Sequence, residues 1–174
     1  MKLNYYLLFL LFVFFSCSRP APQIPANKPD ANDSMRMAVV QDNEKLIMAE
    51  DSLVRIYVNK TDSVFQKYKS GFWYKINYPT KHQPVKTGGK YRIQYSVYTL
   101  DNKFLLNETK RVETGKREII RGLDEMLLLM HPGEKATLII PWYLAYGLKG
   151  DLKTVGPYTS VKVYLYVYNE PSGN

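Results

Sequence analysis

The sequence has a single cysteine, Cys17, and only two histidines, His82 and His131. One cysteine cannot form a disulfide within the chain, so a fold held together by disulfides is excluded. Neither histidine stands in a metal-ligand spacing, and no glycine-rich loop precedes a predicted helix to hold a phosphate. We therefore expect no metal site and no cofactor.

The chain also lacks an apolar run of about 20 residues, the length that spans a bilayer. Its longest apolar run, residues 5–15, follows Lys2 and is typical of a signal-peptide core. Ser16 and Cys17 come next, and a small residue before such a cysteine resembles the signal of bacterial lipoproteins. That resemblance implies a signal peptide over 1–16 and lipid attachment at Cys17. Ordinary secretory cleavage is the alternative, because Phe14 stands where these signals usually have Leu.

Residues 17–33 are predicted to form a tether. They contain Pro20, Pro22, Pro25 and Pro29 among small polar residues. Such a composition is typical of an extended, poorly ordered spacer that would lift a domain off a membrane. Ser18 and Arg19 place no acidic residue next to Cys17, so we expect a lipid anchor in the outer membrane that faces the periplasm.

The chain has no excess of acidic residues; its net charge is +8 and its isoelectric point is about 9.4. In the sequence its Lys and Arg residues are scattered over polar positions and do not form a run. This distribution favours solvation or attraction to anionic lipid headgroups over binding to nucleic acid. We expect no nucleic-acid partner.

Residues 34–70 are predicted to be helical. Apolar pairs recur seven residues apart: Val39-Val40, Leu46-Ile47 and Leu53-Val54. Such a helix can mediate dimerisation or pack on its own domain, and three heptads are too few to indicate a coiled coil. We favour packing on its own domain. A second helical piece is predicted from Thr61 to Lys69.

The segment 71–170 has the alternation of β-strands. A short aromatic strand is predicted within residues 72–78, and a hairpin turn at 101–103. The strand before this turn carries Tyr91, Ile93, Tyr95 and Val97 on one side, and the last strand carries Val161, Val163, Leu165 and Val167. A strand with Phe104 and Leu106 follows the turn and gives way to a less regular segment.

The centre of this segment, residues 119–147, reads IIRGLDEMLLLMHPGEKATLIIPWYLAYG. Helical spacing places four apolar residues on one face: Leu123, Met126, Leu127 and Met130. Pro132 and Gly133 end the helix. A half-buried strand follows, with Ala136, Leu138 and Ile140 on its apolar side. We expect Leu127 to point into the sheet, against Ile93, Leu138 and Val163, and Leu128 to be exposed.

The stretch 119–147 resembles the central segment of the FKBP-type peptidyl-prolyl cis-trans isomerases in order and spacing over nearly thirty positions. The resemblance covers residues 88–168, about half of the chain. It implies an α+β fold in which a bent antiparallel sheet wraps around one short helix, here preceded by an N-terminal helix. It also implies prolyl isomerase activity on polypeptides that contain X-Pro bonds.

The resemblance also implies a set of site residues. The tyrosine on the floor of the family's pocket corresponds to Tyr95. Two branched residues whose backbone contacts proline-like ligands correspond to Ile119 and Ile120. The tyrosine that hydrogen-bonds a ligand carbonyl corresponds to Tyr146, and an apolar residue of a late loop to Val155.

Other family positions differ in kind. The tryptophan at the pocket base is replaced by Leu123, a late-strand phenylalanine by Val163, and a loop histidine by Asp151. A Phe-Asp pair appears as Leu105-Leu106, which removes the acidic group, and an aromatic wall residue appears as Lys110. These changes predict a wider, less aromatic pocket with low activity. The alternative is a non-catalytic chaperone or binding module with a degenerate proline pocket.

The combination of a lipoprotein signal, the stretches EDSLVRIYVNKTDS and SGFWYKIN, and this domain resembles a narrower group. It is similar to the gliding-motility-associated FKBP-type isomerase lipoproteins of Bacteroidetes. That resemblance implies a role in the folding of exported or envelope proteins, including components of gliding motility or secretion.

Overall fold

The computed structural model describes residues 31–169. The predicted signal peptide, the predicted lipid attachment at Cys17 and the tether up to residue 30 lie outside these residues. By its internal contacts the chain divides into one unit over residues 1–39 and another over 40–174. The described part of the first unit is the start of helix α1, which spans Ala31–Asn59. Between residues 31 and 169, no helix is both long and apolar enough to cross a bilayer.

The second unit contains a six-stranded antiparallel sheet in the order β1-β2-β5-β6-β3-β4. Its strands are β1 (Gln66–Lys67), β2 (Trp73–Tyr78), β3 (Lys90–Thr99), β4 (Phe104–Glu113), β5 (Lys135–Ile140) and β6 (Val161–Val167). Helix α2 spans Arg121–Leu127, and a 3₁₀ helix spans Trp142–Leu144. This arrangement confirms the predicted α+β class.

Helix α2 packs on one face of the sheet, here called the inner face, and it does so through the apolar side that the sequence predicts. Leu123, Met126, Leu127 and Met130 are all 0% exposed, whereas Leu128 is 38% exposed. Leu127 belongs to the same buried cluster as Ile93, Leu138 and Val163. A Cβ atom at Gly122 would lie only 2.6 Å from the Ile140 side chain, so the missing side chain lets α2 lie directly on β5.

The outer face of the sheet is partly covered by α1. Val54 and Val58 form a small buried cluster with Ile139, and Trp73 packs against it. Alternation within β5 placed Ile139 on the polar side of the strand, but it is fully buried because α1 lies over it. The C-terminal part of α1 therefore packs on its own domain, as predicted.

The predicted helix from Thr61 to Lys69 is wrong. These residues form a turn followed by β1, whose Gln66 and Lys67 pair with β2. The chain reverses at Gly71, which has φ +119° and is therefore in a conformation that favours glycine. Tertiary strand pairing overrides the local helical propensity here.

Strand β4 is longer and more regular than predicted, since it continues to Glu113. Among the described strands it pairs only with β3, so it forms one edge of the sheet. An edge strand keeps one side in water, so polar residues are accommodated and the apolar alternation is weak. For this reason the sequence did not reveal its full length.

Candidate functional site

The predicted site residues come from separate parts of the second unit and meet in one apolar cluster. Buried members are Tyr95 (6% exposed), Leu123 (0%), Val155 (2%) and Val163 (0%). Half-buried members that pack against them are Leu105, Ile119, Ile120 and Tyr146. The fold thus brings all eight residues to the same apolar cluster, with four of them at its border and partly accessible to solvent.

Tyr95 lies on β3 directly opposite Glu108 on β4. Its hydroxyl donates a hydrogen bond of 2.5 Å to the Glu108 carboxylate. Burial, this hydrogen bond and the negative charge of Glu108 together raise the pKa of Tyr95 well above its usual value. The phenol therefore remains protonated and is fixed in orientation.

Glu108 corrects the expectation that the acidic group had been lost from the site. Leu105 and Leu106 indeed carry no charge, but an acid stands further along the same strand. The pairing of β3 with β4 shifts by one residue between Val97 and Tyr98, and this irregularity brings Glu108 opposite Tyr95. Without that shift Asn107 would lie opposite Tyr95. The sequence predicts the hairpin turn but not the bulge, so it could not show that Glu108 takes this place.

Tyr146 follows the 3₁₀ helix and is half-buried at the border of the cluster. Burial, followed by the charges of Glu108 and Asp151, raises the pKa of its hydroxyl to about 12. Within residues 31–169 this hydroxyl makes no hydrogen bond to the protein. A buried or half-buried tyrosine hydroxyl usually has a partner, so this donor is available to a bound molecule.

Ile119 and Ile120 immediately precede α2. The Ile120 carbonyl accepts hydrogen bonds from the N–H groups of Leu123 (3.0 Å) and Asp124 (3.1 Å), which ties its backbone to the first turn of the helix. Its φ of −57° and ψ of 145° keep the residue extended. Its own N–H has no partner among the residues that the structure describes.

Asp124 was not identified from the sequence, although it holds the loop before α2 in place. It is 7% exposed, and its carboxylate accepts hydrogen bonds from the N–H groups of Gly115 (2.9 Å) and Arg117 (3.3 Å). A buried carboxylate needs such partners. The sequence does not distinguish it from the neighbouring Glu125, which is also acidic, so its role is evident only from the structure.

The loop that delivers Val155 is organised by Asp151, the residue in place of the family histidine. Its carboxylate accepts hydrogen bonds from the N–H groups of Lys153 (2.9 Å), Thr154 (2.7 Å) and Val155 (2.7 Å). Desolvation raises the pKa of Asp151, but the backbone hydrogen bonds outweigh it, so the net shift is downward. Gly150 has φ +69°, and a Cβ there would lie 2.0 Å from the Val155 carbonyl oxygen.

Lys110 brings a cation to the border of the site, where the family has an aromatic residue. It lies opposite Ile93 in the sheet, and its Nζ donates a hydrogen bond of 2.8 Å to the carbonyl of Glu118. Glu118 directly precedes Ile119. The lysine therefore joins β4 to the loop before α2.

The arrangement is suited to binding an apolar group beside a few fixed hydrogen-bond donors. Its tyrosines are protonated at neutral pH, and its walls are aliphatic. Residues 31–169 contain no group of three or more His, Cys, Asp or Glu side chains that could hold a metal.

Comparison with known proteins relates this region to one family. Residues 81–162 match the family model of the FKBP-type peptidyl-prolyl cis-trans isomerases. Peptidyl-prolyl cis-trans isomerase FKBP10 of Mus musculus is 40% identical over 65 residues, which are 37% of this chain and 11% of that protein. FKBP11 of Bos taurus is 36% identical over 72 residues, which are 39% of this chain and 36% of that protein. The chain thus spans only a minor part of the length of these relatives.

Solved structures share the fold at lower identity. FkpA from Escherichia coli has a TM-score of 0.61 and 19% identity, with 99% of this chain and 84% of that chain covered. A peptidyl-prolyl cis-trans isomerase from Pseudomonas syringae pv. tomato has a TM-score of 0.58 and 21% identity, with 72% and 92% covered. Residues 81–162 of this chain thus belong to the FKBP-type peptidyl-prolyl cis-trans isomerase family.

Proposed function

We propose that this domain catalyses the cis–trans isomerisation of X-Pro bonds in polypeptide substrates. The observation that carries the proposal is Tyr146, whose protonated hydroxyl borders the apolar cluster and has no hydrogen-bond partner within residues 31–169. Such a phenol can donate a hydrogen bond to a substrate carbonyl. The N–H of Ile120 is a second donor of the same kind.

The isomerisation requires no nucleophile, and a catalyst acts on it mainly through the environment that surrounds the amide. Rotation about a peptide bond has a barrier of about 18–20 kcal/mol, because the planar amide is stabilised by resonance. The twisted amide has lost that resonance and is less polar at its oxygen. A catalyst must bind this twisted state better than either planar isomer. An apolar site with two or three fixed donors does so without a nucleophile.

Each residue has a role in this proposal. The proline ring enters at the accessible border of the cluster, and the buried Tyr95, Leu123 and Val163 form the apolar base beneath it. Tyr146 and the backbone of Ile119 and Ile120 hold the carbonyl groups on either side of the proline. Leu105 and Val155 close the apolar walls.

The test is isomerisation of a proline-containing peptide by the full chain, followed with a protease-coupled assay. Tyr146→Phe removes only the hydroxyl, and we expect kcat/KM to fall roughly two- to tenfold, the value of one hydrogen bond. Tyr164→Phe is the matched control, since Tyr164 lies on the outer face of the sheet and should retain the wild-type rate. A wild-type chain with no rate above background would refute catalysis.

A second function is a binding module that holds unfolded chains without isomerising them. The aliphatic side chains of Leu105, Leu123 and Val163 favour it. The family resemblance places tryptophan at the position of Leu123, phenylalanine at that of Val163, and a Phe-Asp pair at Leu105-Leu106. The discriminating measurement is suppression of aggregation of a denatured client. If Tyr146→Phe and Tyr95→Leu lower the rate of isomerisation but retain this suppression, the binding function is supported. Loss of both together would leave it without support.

The chain is further proposed to be lipid-anchored through Cys17 in the outer membrane, facing the periplasm. The apolar run of residues 5–15 that ends at Ser16 and Cys17 supports this. Cys17→Ser should prevent metabolic labelling with palmitate and leave either a soluble or an uncleaved product. Palmitate on that variant would refute the assignment of the lipid to Cys17.

The clients are proposed to be exported or envelope proteins, including components of gliding motility or secretion. The resemblance of the stretches EDSLVRIYVNKTDS and SGFWYKIN to the gliding-associated group supports this. Cells that lack the protein should contain less of such envelope proteins and should spread more slowly on a surface. Unchanged envelope protein levels would argue against these clients.

A further inference from the structure

We propose that the outer face of the sheet is a docking surface for a bilayer that contains anionic phospholipids. The outer face is the exposed side of the sheet opposite α2, next to the area that α1 covers. We define it by Lys75, Tyr78, Gln94, Ser96, Lys135, Thr137, Lys162, Tyr164 and Tyr166. This surface is separate from the proline site, and the proposal goes beyond the isomerase function.

Strand pairing places these residues together although they are far apart in sequence. Tyr164 pairs with Ser96 on one side and with Thr137 on the other, and Thr137 pairs with Lys75. In the next row, Tyr166 pairs with Gln94 and with Lys135, which pairs in turn with Tyr78. Residues paired across antiparallel strands point to the same side of a sheet, so the rows form one continuous surface.

The three lysines of the outer face are associated with tyrosine rings and neutral groups. The Nζ of Lys135 lies 5.5 Å from the centre of the Tyr78 ring and 5.6 Å from that of Tyr166. Lys162 lies 5.6 Å from the Tyr164 ring and donates a hydrogen bond to the Asn102 side chain.

Lys75 contacts the Ser63 hydroxyl at 3.4 Å. Between residues 31 and 169, none of the three lysines forms an ion pair with a carboxylate. Their charges are therefore held in place by aromatic rings and neutral groups and are not neutralised.

Acidic residues are absent from the outer face. Within the six strands the acidic residues are Glu108 and Glu113. Glu108 faces the proline site through its hydrogen bond to Tyr95. Glu113 is the last residue of β4 and pairs with Lys116 at 3.7 Å. The outer face therefore carries positive charge with no acidic side chain within it, which makes it complementary to an anionic partner.

The shape and composition favour a bilayer over a polypeptide or a nucleic acid. The surface contains two open depressions of about 280 and 360 Å³, the first lined by Lys75 and Lys162 and the second by Lys135. Each is suited to a phosphate headgroup. Tyrosine is enriched where proteins meet the headgroup region, and lysines there attract anionic lipids. The predicted lipid attachment at Cys17 is a second membrane-directed element of the same chain.

The test is partitioning of the full chain between buffer and vesicles of phosphatidylcholine with or without phosphatidylglycerol. The part of the chain before residue 31 is the same in wild type and in each variant, so a change in the ratio of the two partition coefficients isolates the contribution of the substituted lysines. We expect the wild-type ratio to favour phosphatidylglycerol and to fall as salt is added. Lys135→Glu with Lys162→Glu should lower the ratio roughly tenfold or more.

The matched control is Lys86→Glu with Lys116→Glu. Both residues are exposed in loops outside the outer face, and the double change alters net charge by the same amount. We expect this control to retain most of the wild-type ratio. Thermal denaturation of each variant verifies folding. If the midpoint of the variant with Lys135→Glu and Lys162→Glu falls, the neutral substitutions Lys135→Gln and Lys162→Gln are used in its place.

A wild-type ratio near one would overturn the proposal, and so would equal losses in the two double variants. Polyglutamate added to the vesicles tests whether the outer face binds an acidic polypeptide instead of a bilayer. Tight binding of polyglutamate without any preference for phosphatidylglycerol vesicles would assign the outer face to an acidic polypeptide and overturn the bilayer proposal.

Discussion

The hydroxyl of Tyr143 donates a hydrogen bond to the carboxylate of Asp51, which lies in α1 and precedes it by 92 residues. The Ser160 hydroxyl makes the corresponding bond to Glu50 and accepts the Trp142 N–H at 2.8 Å. Two acidic residues of α1 therefore hold both ends of the segment 142–160. Because Tyr146 and Val155 lie between these ends, α1 helps to position the candidate site.

Asp51→Asn should impair both stability and isomerisation. The change removes a charged acceptor from Tyr143 and from Lys67, whose Nζ lies 3.2 Å from Asp51. We expect a loss of about 1.5–3 kcal/mol in the free energy of unfolding, the range for a hydrogen bond to a charged group. The readouts are the denaturant midpoint and kcat/KM on a proline-containing peptide.

Asp42→Asn is the control on the same helix. Among the residues that the structure describes, Asp42 pairs only with Lys45, and both side chains are about three-quarters exposed (74% and 75%). An ion pair of this kind contributes little to stability, so this variant should behave as wild type. Equal effects of the two substitutions would mean that the contact between Asp51 and Tyr143 does not support the loop.

Leu127→Ala should destabilise the protein far more than Leu128→Ala. Leu127 is 0% exposed, whereas Leu128 is 38% exposed. Truncation of a buried leucine costs about 2–5 kcal/mol, while a surface change usually stays within about 0.5 kcal/mol. Urea denaturation midpoints measure both. A larger loss at Leu128 would contradict the helix orientation and the placement of Leu123 at the base of the site.

The protein should lose stability in alkaline solution partly through Tyr146. A tyrosine in an unfolded chain has a pKa of about 10, and the folded state raises that of Tyr146 to about 12. The folded state therefore favours the protonated phenol. This contribution is fully present below about pH 10 and is lost as the pH rises through about 12.

Tyr146→Phe removes this titration, so its unfolding free energy should decline less steeply than that of wild type between pH 10 and 12. The exposed Tyr158 provides the control, and Tyr158→Phe should follow the wild-type curve. Parallel curves for wild type and Tyr146→Phe would contradict the raised pKa.

Glu108→Gln should lower the pKa of both site tyrosines. The charge of Glu108 raises the pKa of Tyr95 and of Tyr146, and glutamine removes the charge with little change in shape. Nuclear magnetic resonance of ¹³C-labelled tyrosine rings follows each titration. Glu113→Gln on the same strand is the control and should leave the Tyr146 titration unchanged. If Glu108→Gln changes neither tyrosine titration, Glu108 does not act on the site.

Periodicity alone was sufficient to predict the buried side of α2 and the inward-facing residues of β3 and β6. These patterns are local, because the helical repeat and the strand alternation follow from backbone geometry. The family resemblance extended them to the site residues and to the sheet around one helix. The same local reasoning failed for residues 61–69, where pairing with β2 decides the structure.

Non-local packing decided the remaining features. The irregular register between Val97 and Tyr98 places Glu108, and not Asn107, opposite Tyr95. The packing of Val54 and Val58 buries Ile139 on the nominally polar side of β5. Lysines that are scattered in the sequence gather on one face because β2, β5 and β6 are neighbours in the sheet. The sequence by itself thus determined which side of each predicted element is apolar; the tertiary structure decided which elements meet, since strand register and helix docking depend on contacts between distant residues.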